Sequence, residues 1–173
     1  MLTAAIWGPG KWGQALVTSV QGKSEFIRFK SAVTRSPQKH RDFADTHELL
    51  ISDDLNSTLL DPQIEAIVIA TANSLHPEHT RQAALAGKHV FVEKPLCRNL
   101  AELSHIKKVW ASHKGELKLR SNLLLRAAPL YRWLKEQLES SDFGDVYAFD
   151  GEYLYGRLSK LTEGWRKEIF DYS

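Results

Sequence analysis

The stretch EAIVIA, Glu65–Ala70, constrains this chain more than any other. It is short, nearly all apolar and rich in β-branched residues, as a strand is when helices cover both its faces. Such a strand needs parallel neighbours, each reached through a helix, and the flanking sequence supplies them. TAAIW (3–7) and FIRFKSAV (26–33) are strand candidates before it, and KHVFVE (88–93) and ELKLRSN (116–122) after it. Helical patterns lie between. From Lys11, the residues Trp12, Ala15, Leu16, Ser19 and Val20 recur at helical spacing up to Gly22. Ser36 and Pro37 read as a cap and first helical residue. A helix from Pro77 to Ala86 closes at Gly87. Another runs from the cap Asn99 to Gly115, with Leu100, Leu103, Ile106 and Trp110 turned inward. This alternation predicts an α/β fold with a doubly wound parallel sheet and right-handed crossovers.

The turn after the first strand is IWGPGKWG, in which Gly8, Gly10 and Gly13 have G-x-G-x-x-G spacing between a strand and a helix. The physical roles follow from that context. Gly8 makes the tight turn, Gly10 lets the backbone approach a pyrophosphate, and Gly13 allows close helix–strand packing. The helix start at Lys11, Trp12 and Gly13 then offers free N–H groups and a favourable dipole to phosphate. The Trp12 side chain is expected in the core, with its backbone N–H facing the phosphates. The turn is thus expected to form a Rossmann-type dinucleotide site. Its ribose-reading position, at the end of the second strand, is VTRSP. Thr34, Arg35 and Ser36 include no carboxylate, and a guanidinium with two hydroxyls suits a 2′-phosphate. NADP is therefore expected over NAD.

After Asn122 the texture changes. APLYRWLKEQLES is amphipathic, with Leu130, Leu134 and Leu138 on one face. GDVYAFDGEYLYGRL alternates, which predicts a long strand with Tyr147, Phe149, Tyr153 and Tyr155 on one face. That strand finds no hairpin partner in the remaining sequence, and an unpaired aromatic strand is an aggregation hazard. Its partners are expected in further sequence or in another subunit. The domain reading is a dinucleotide-binding domain over 1–121 and, over 122–173, the incomplete opening of an α/β substrate and oligomerisation domain with a mainly antiparallel sheet.

Composition narrows the remaining classes. A formal net charge of +2 in 173 residues gives no basis for nucleic-acid or anionic-membrane binding. A single cysteine, Cys97, excludes an internal disulfide and suits a reducing compartment. The N-terminus lacks a signal-peptide pattern, so a cytoplasmic protein is expected. His76 and His79 of HPEH lack the further ligands a metal site needs; they read as a helix start, and no metal is expected.

The segment AIVIATANSLHPEHTRQAALAGKHVFVEKPLCRNLAEL, together with the glycine turn, resembles the glucose-fructose oxidoreductase, inositol dehydrogenase and MocA family of NAD(P)-dependent oxidoreductases. The carrying pieces are the apolar strand leading into ATANSLH, the helix ending ALAGKHV, and EKP at 93–95. GDVYAF and EGWRKE follow the same pattern. The resemblance implies that Ala70, Thr71, Asn73 and His76 border the cofactor's ribose and nicotinamide. It implies that Glu93 and Lys94 sit beside the nicotinamide, with Lys94 as the catalytic group, and that Asn122 is a further contact. A partly desolvated lysine there could exchange a proton near neutrality or polarise the reacting oxygen. The implied activity is hydride transfer between NADP (or NAD) and a small molecule, a sugar, cyclitol or related polyol or ketone, in a homo-oligomer joined through the second-domain sheet. Family members carry a later Asp- and His-bearing catalytic segment that is absent before Ser173. The chain is therefore expected to be a fragment that binds cofactor more readily than it turns over a sugar. The rival expectation is a catalytically silent dinucleotide-binding regulatory protein on the same fold; a pterin-type or imine reductase is a third.

Overall fold

The computed structural model describes residues 1–113, 115–140, 143–152 and 154. Two compact units divide them, Met1–Asn122 and a second beginning at Leu123. The first unit is built on six parallel strands: β1 (Leu2–Trp7), β2 (Ile27–Val33), β3 (Leu50–Ser52), β4 (Ala66–Ile69), β5 (His89–Val92) and β6 (Leu119–Ser121). They lie in the order β3-β2-β1-β4-β5-β6. This is the strand order of a doubly wound dinucleotide fold, whose switch point lies between β1 and β4. The helices α1 (Lys11–Val20), α2 (Arg41–Thr46), α3 (Asn56–Leu59), α4 (His76–Leu85) and α5 (Leu100–Ser112) connect the strands.

Side-chain alternation along the strands divides the core into two layers. Ala4 and Ile6 of β1 join Phe29, Ala66 and Val68 on one face, against Val17 of α1 and Ala44 of α2. Ala5 and Trp7 join Ile67, Ile69, Val90 and Val92 on the other, against Ala83 of α4. All four residues of β4 are buried, as expected of a central strand covered on both sides. Trp7 is fully buried, and its indole N–H donates to Thr58 Oγ1 at 2.9 Å, so α3 supplies the one polar partner that ring needs.

Several expectations need correction. The buried residues of α1 are Gly13 and Val17, with Leu16 and Val20 packed beside them. Trp12, Ala15 and Ser19 are exposed, so the inward face is turned by about one residue. The cause is Gly13, which packs against the turn before it and counts for nothing in a hydrophobic pattern. Leu100 is also exposed. The chain after Ser36 begins as a 3-10 turn, Pro37–His40, and no side-chain bond from Ser36 caps it. The short edge strand β3 is an element the hydrophobic pattern does not single out.

In the second unit α6 (Pro129–Glu139) forms as expected. The long aromatic strand does not: 145–152 carry no strand, and Tyr147 and Phe149 are exposed. Alternation alone cannot hold a strand whose N–H and C=O groups meet no ladder partner, and none is offered among the described residues. Tyr153 and Tyr155 lie outside the described residues.

Candidate cofactor and active site

The glycine turn is closed by backbone packing. Gly8 has φ +88° and donates its N–H to Val33 O at 2.9 Å. A Cβ on it would lie 2.7 Å from Ala70 O, so the turn rests directly on the end of β4. A Cβ on Gly13 would lie 2.2 Å from Gly8 O, which fixes how tightly α1 sits against the turn. Around Gly10 a Cβ would meet nothing within 4 Å. Gly10 is the residue that precedes the first turn of α1. No side chain caps α1, and no acidic residue lies in its first turn. The amides of Lys11, Trp12 and Gly13 thus have no acceptor within the helix. Packed glycines on one side and uncapped amides on the other fit a pyrophosphate.

The ribose-reading segment leaves the end of β2. Thr34 is pinned by its N–H to Ser52 O at 2.9 Å, and its Oγ1 accepts from the Ser36 N–H at 3.4 Å. Arg35 is exposed between them. A contact not foreseen from the sequence links this segment to the glycine turn. Gln14 Nε2 donates to Pro9 O and lies 3.2 Å from His40 Nδ1.

At the carboxyl end of β5, Glu93 donates its N–H to Ile69 O at 2.8 Å. Its Oε1 accepts from both the Trp12 indole N–H and the Asn122 side-chain N–H. Trp12, expected in the core, is 46% exposed and bridges from α1 to β5. A hydrogen-bonded tip makes the wet side of the sheet end a workable place for an indole. Asn122 is buried and donates its own N–H to Val92 O at 2.8 Å. Glu93, Trp12 and Asn122 are therefore brought together from three elements.

Lys94 follows Glu93 and is exposed, and its peptide bond to Pro95 is cis. Among the described residues it forms no ion pair with Glu93. The desolvation expected of it is thus not provided by its own packing. Ala70 and Thr71 follow β4 and are partly exposed, whereas Asn73 is buried. His76 is 1% exposed, with Nδ1 2.7 Å from Pro95 O and Nε2 3.1 Å from Thr71 O. The structure places it beneath the loops of the site.

His79, set aside with HPEH as a helix start, lies 3.2 Å through Nδ1 from Thr71 Oγ1 and edge-on to the Trp7 ring. Only the i, i+3 spacing of the two histidines hints at their common direction. Burial, and then the neighbouring His76, push its pKa from 6.5 down to about 4. The unfolded chain takes up this proton near pH 6.5 and the folded chain only near 4, so stability falls as the pH falls through that window. The loss is about 2 kcal/mol after discounting for partial exposure. His79→Gln is expected to flatten the fall of the urea midpoint between pH 6.5 and 4; an unchanged slope would refute this. Cys97 is partly buried, and burial, then the Glu102 charge, push its thiol up, away from the thiolate a nucleophile needs. Among the described residues no three His, Cys, Asp or Glu side chains cluster as metal ligands, and no helix is long and apolar enough to cross a membrane.

Fold and site together define a nucleotide-binding α/β unit, with a tightly packed glycine turn after β1 and a carboxylate, Glu93, fixed after β5 and joined to the start of α1 through Trp12. The chain belongs to the oxidoreductase family with an NAD-binding Rossmann fold, the glucose-fructose oxidoreductase, inositol dehydrogenase and MocA family, whose profile matches residues 2–119. The scyllo-inositol 2-dehydrogenase (NADP(+)) of Bacillus subtilis is 35% identical over 150 residues, 83% of this chain and 38% of that protein. The 1,5-anhydro-D-fructose reductase of Ensifer adhaerens is 34% identical over 111 residues, 62% of this chain and 32% of that protein. Among solved structures, the apo scyllo-inositol dehydrogenase of Lactobacillus casei superposes with a TM-score of 0.78 at 24% identity, over 84% of this chain and 43% of that one. This chain spans less than half the length of these relatives.

Proposed function

We propose that this chain carries the cofactor half of an NADP-preferring oxidoreductase that moves a hydride to or from a carbon of a sugar, cyclitol or related polyol. The carrying observation is the paired geometry of the crevice. Uncapped amides follow Gly10 at the start of α1, and Trp12 of that first turn is hydrogen-bonded to Glu93, the neighbour of Lys94. The names of the two relatives, a cyclitol dehydrogenase using NADP(+) and a sugar-derived ketone reductase, support the substrate class.

In this reading the backbone N–H groups of Gly10, Lys11, Trp12 and Gly13 bind the pyrophosphate, and Gly8, whose own N–H is held by Val33 O, shapes the turn that lets them approach it. Thr34, Arg35 and Ser36 take the 2′-phosphate. Glu93, held by Trp12 and Asn122, presents its free Oε2 to ribose hydroxyls, with Ala70, Thr71 and Asn73 along the same wall. A bound nicotinamide supplies or accepts the hydride. Lys94 Nζ takes the substrate hydroxyl proton during oxidation and returns it during reduction, and its exposure leaves it free to be covered when both ligands bind. Homo-oligomerisation through the second unit belongs to the same proposal, supported by the exposed rings of Tyr147 and Phe149.

The test is Arg35→Ala. Losing a charge-assisted contact to phosphate is worth about 1.5–3 kcal/mol, or roughly 10- to 150-fold in affinity. Titration by tryptophan fluorescence should show that loss for NADPH and little change for NADH. Equal changes for the two cofactors would overturn the NADP assignment.

A further inference from the structure

Lys94 has an exposed side chain but a tightly held backbone. On its N-terminal side Glu93 is fixed twice, by its N–H to Ile69 O and by its carboxylate to Trp12 and Asn122. On its C-terminal side Pro95 has no N–H to offer, and its carbonyl is its only main-chain hydrogen-bonding group. That carbonyl lies 2.7 Å from Nδ1 of His76. His76 is the first residue of α4, directly after the loop that runs from Ala70 through the 3-10 turn Asn73–Leu75. The ring is 1% exposed, so water does not compete for it. On its other side Thr71 O sits 3.1 Å from Nε2, and the Thr71 hydroxyl is met by His79. One helix start thus reaches both loops that bound the site, the one after β4 and the one after β5.

A peptide carbonyl can only accept, and a neutral imidazole carries one N–H. Each ring nitrogen faces a carbonyl oxygen, and the proton is assigned to the shorter of the two contacts, the one at Nδ1. We infer that His76, protonated on Nδ1, is the positioning residue of Lys94: its N–H to Pro95 O makes the Lys94 loop move with the loop that contacts the cofactor. Cofactor bound along Thr71 then fixes the place of Lys94 through a residue that touches neither cofactor nor substrate. The proposal rests on the dinucleotide reading above, but the His76 bond is tested without it.

Two measurements decide it on the 173-residue chain. Long-range ¹H–¹⁵N spectra of the free protein should show His76 protonated on Nδ1; a ring protonated on Nε2 alone overturns the inference whatever the cofactor does. The second compares His76→Leu, which has no donor, with His76→Asn, whose amide nitrogen takes the place of Nδ1. Acetylation of Lys94, read by mass spectrometry against the exposed Lys107 of α5, is followed with and without saturating NADPH. In the wild type NADPH should slow Lys94 labelling. His76→Leu should lose about fivefold of that protection, the worth of one hydrogen bond, and His76→Asn should restore most of it. Full protection in His76→Leu, or equal loss in both variants, overturns the inference. If the wild type binds no NADPH, the cofactor reading fails while the ring protonation still judges the bond. If His76→Leu does not fold, His76→Asn with wild-type protection supports the proposal, and with none it refutes it.

Discussion

Gly13→Ala is expected to abolish dinucleotide binding, a loss of at least about 100-fold, and to destabilise the chain. Two opposing effects meet at this residue. Alanine inside a helix is favoured over glycine by about 1 kcal/mol. Against that, its Cβ would lie 2.2 Å from Gly8 O, a backbone atom that no rotamer change can move. Overpacking of a tight interior costs roughly 1–3 kcal/mol even where side chains can give way. Here α1 must instead lift from the turn, carrying with it the amides proposed to hold the pyrophosphate. The clash wins. Thermal unfolding and NADPH titration of the variant check both halves. A variant that is more stable than the wild type and binds NADPH normally would show that the turn is not packed as described.

Lys94→Ala should act on the opposite quantity. The side chain is exposed and forms no ion pair among the described residues, so its removal should cost almost no stability. The proposed pyrophosphate and 2′-phosphate contacts do not involve it, so NADPH affinity should stay within about a factor of three. Where turnover is measured with a cyclitol substrate, kcat should fall by about 10²–10⁴, the usual worth of a positioned proton-transfer group. A variant with normal kcat and a raised KM would make Lys94 a substrate-binding residue.

The parts of this molecule legible in the sequence are those with a strong local cause. The apolar run at 65–70 reads as a covered strand and forms one over Ala66–Ile69, and the glycine turn and EKP are each found directly after a strand, as the pattern predicts. Other features depend on what meets them in space. Trp12 reads as core by size and spacing, yet a partner 81 residues away, Glu93, draws its N–H to the open end of the sheet. His76 sits in a motif that resembles a cofactor contact, and only the fold shows that a backbone carbonyl faces each of its ring nitrogens. The stretch at 145–152 alternates as a strand should, but a strand also requires a neighbour, which no pattern within it can supply.

The central claim is that the carboxyl end of this sheet is a dinucleotide site. It is tested most directly by hydrogen exchange of the chain with and without saturating NADPH. Slowed exchange is expected at 8–14, 34–36, 70–73 and 93–94, which are far apart in sequence and meet only at that end. No saturable change, or protection confined to the groove lined by Pro77, Arg81, Glu102 and His105, would contradict it.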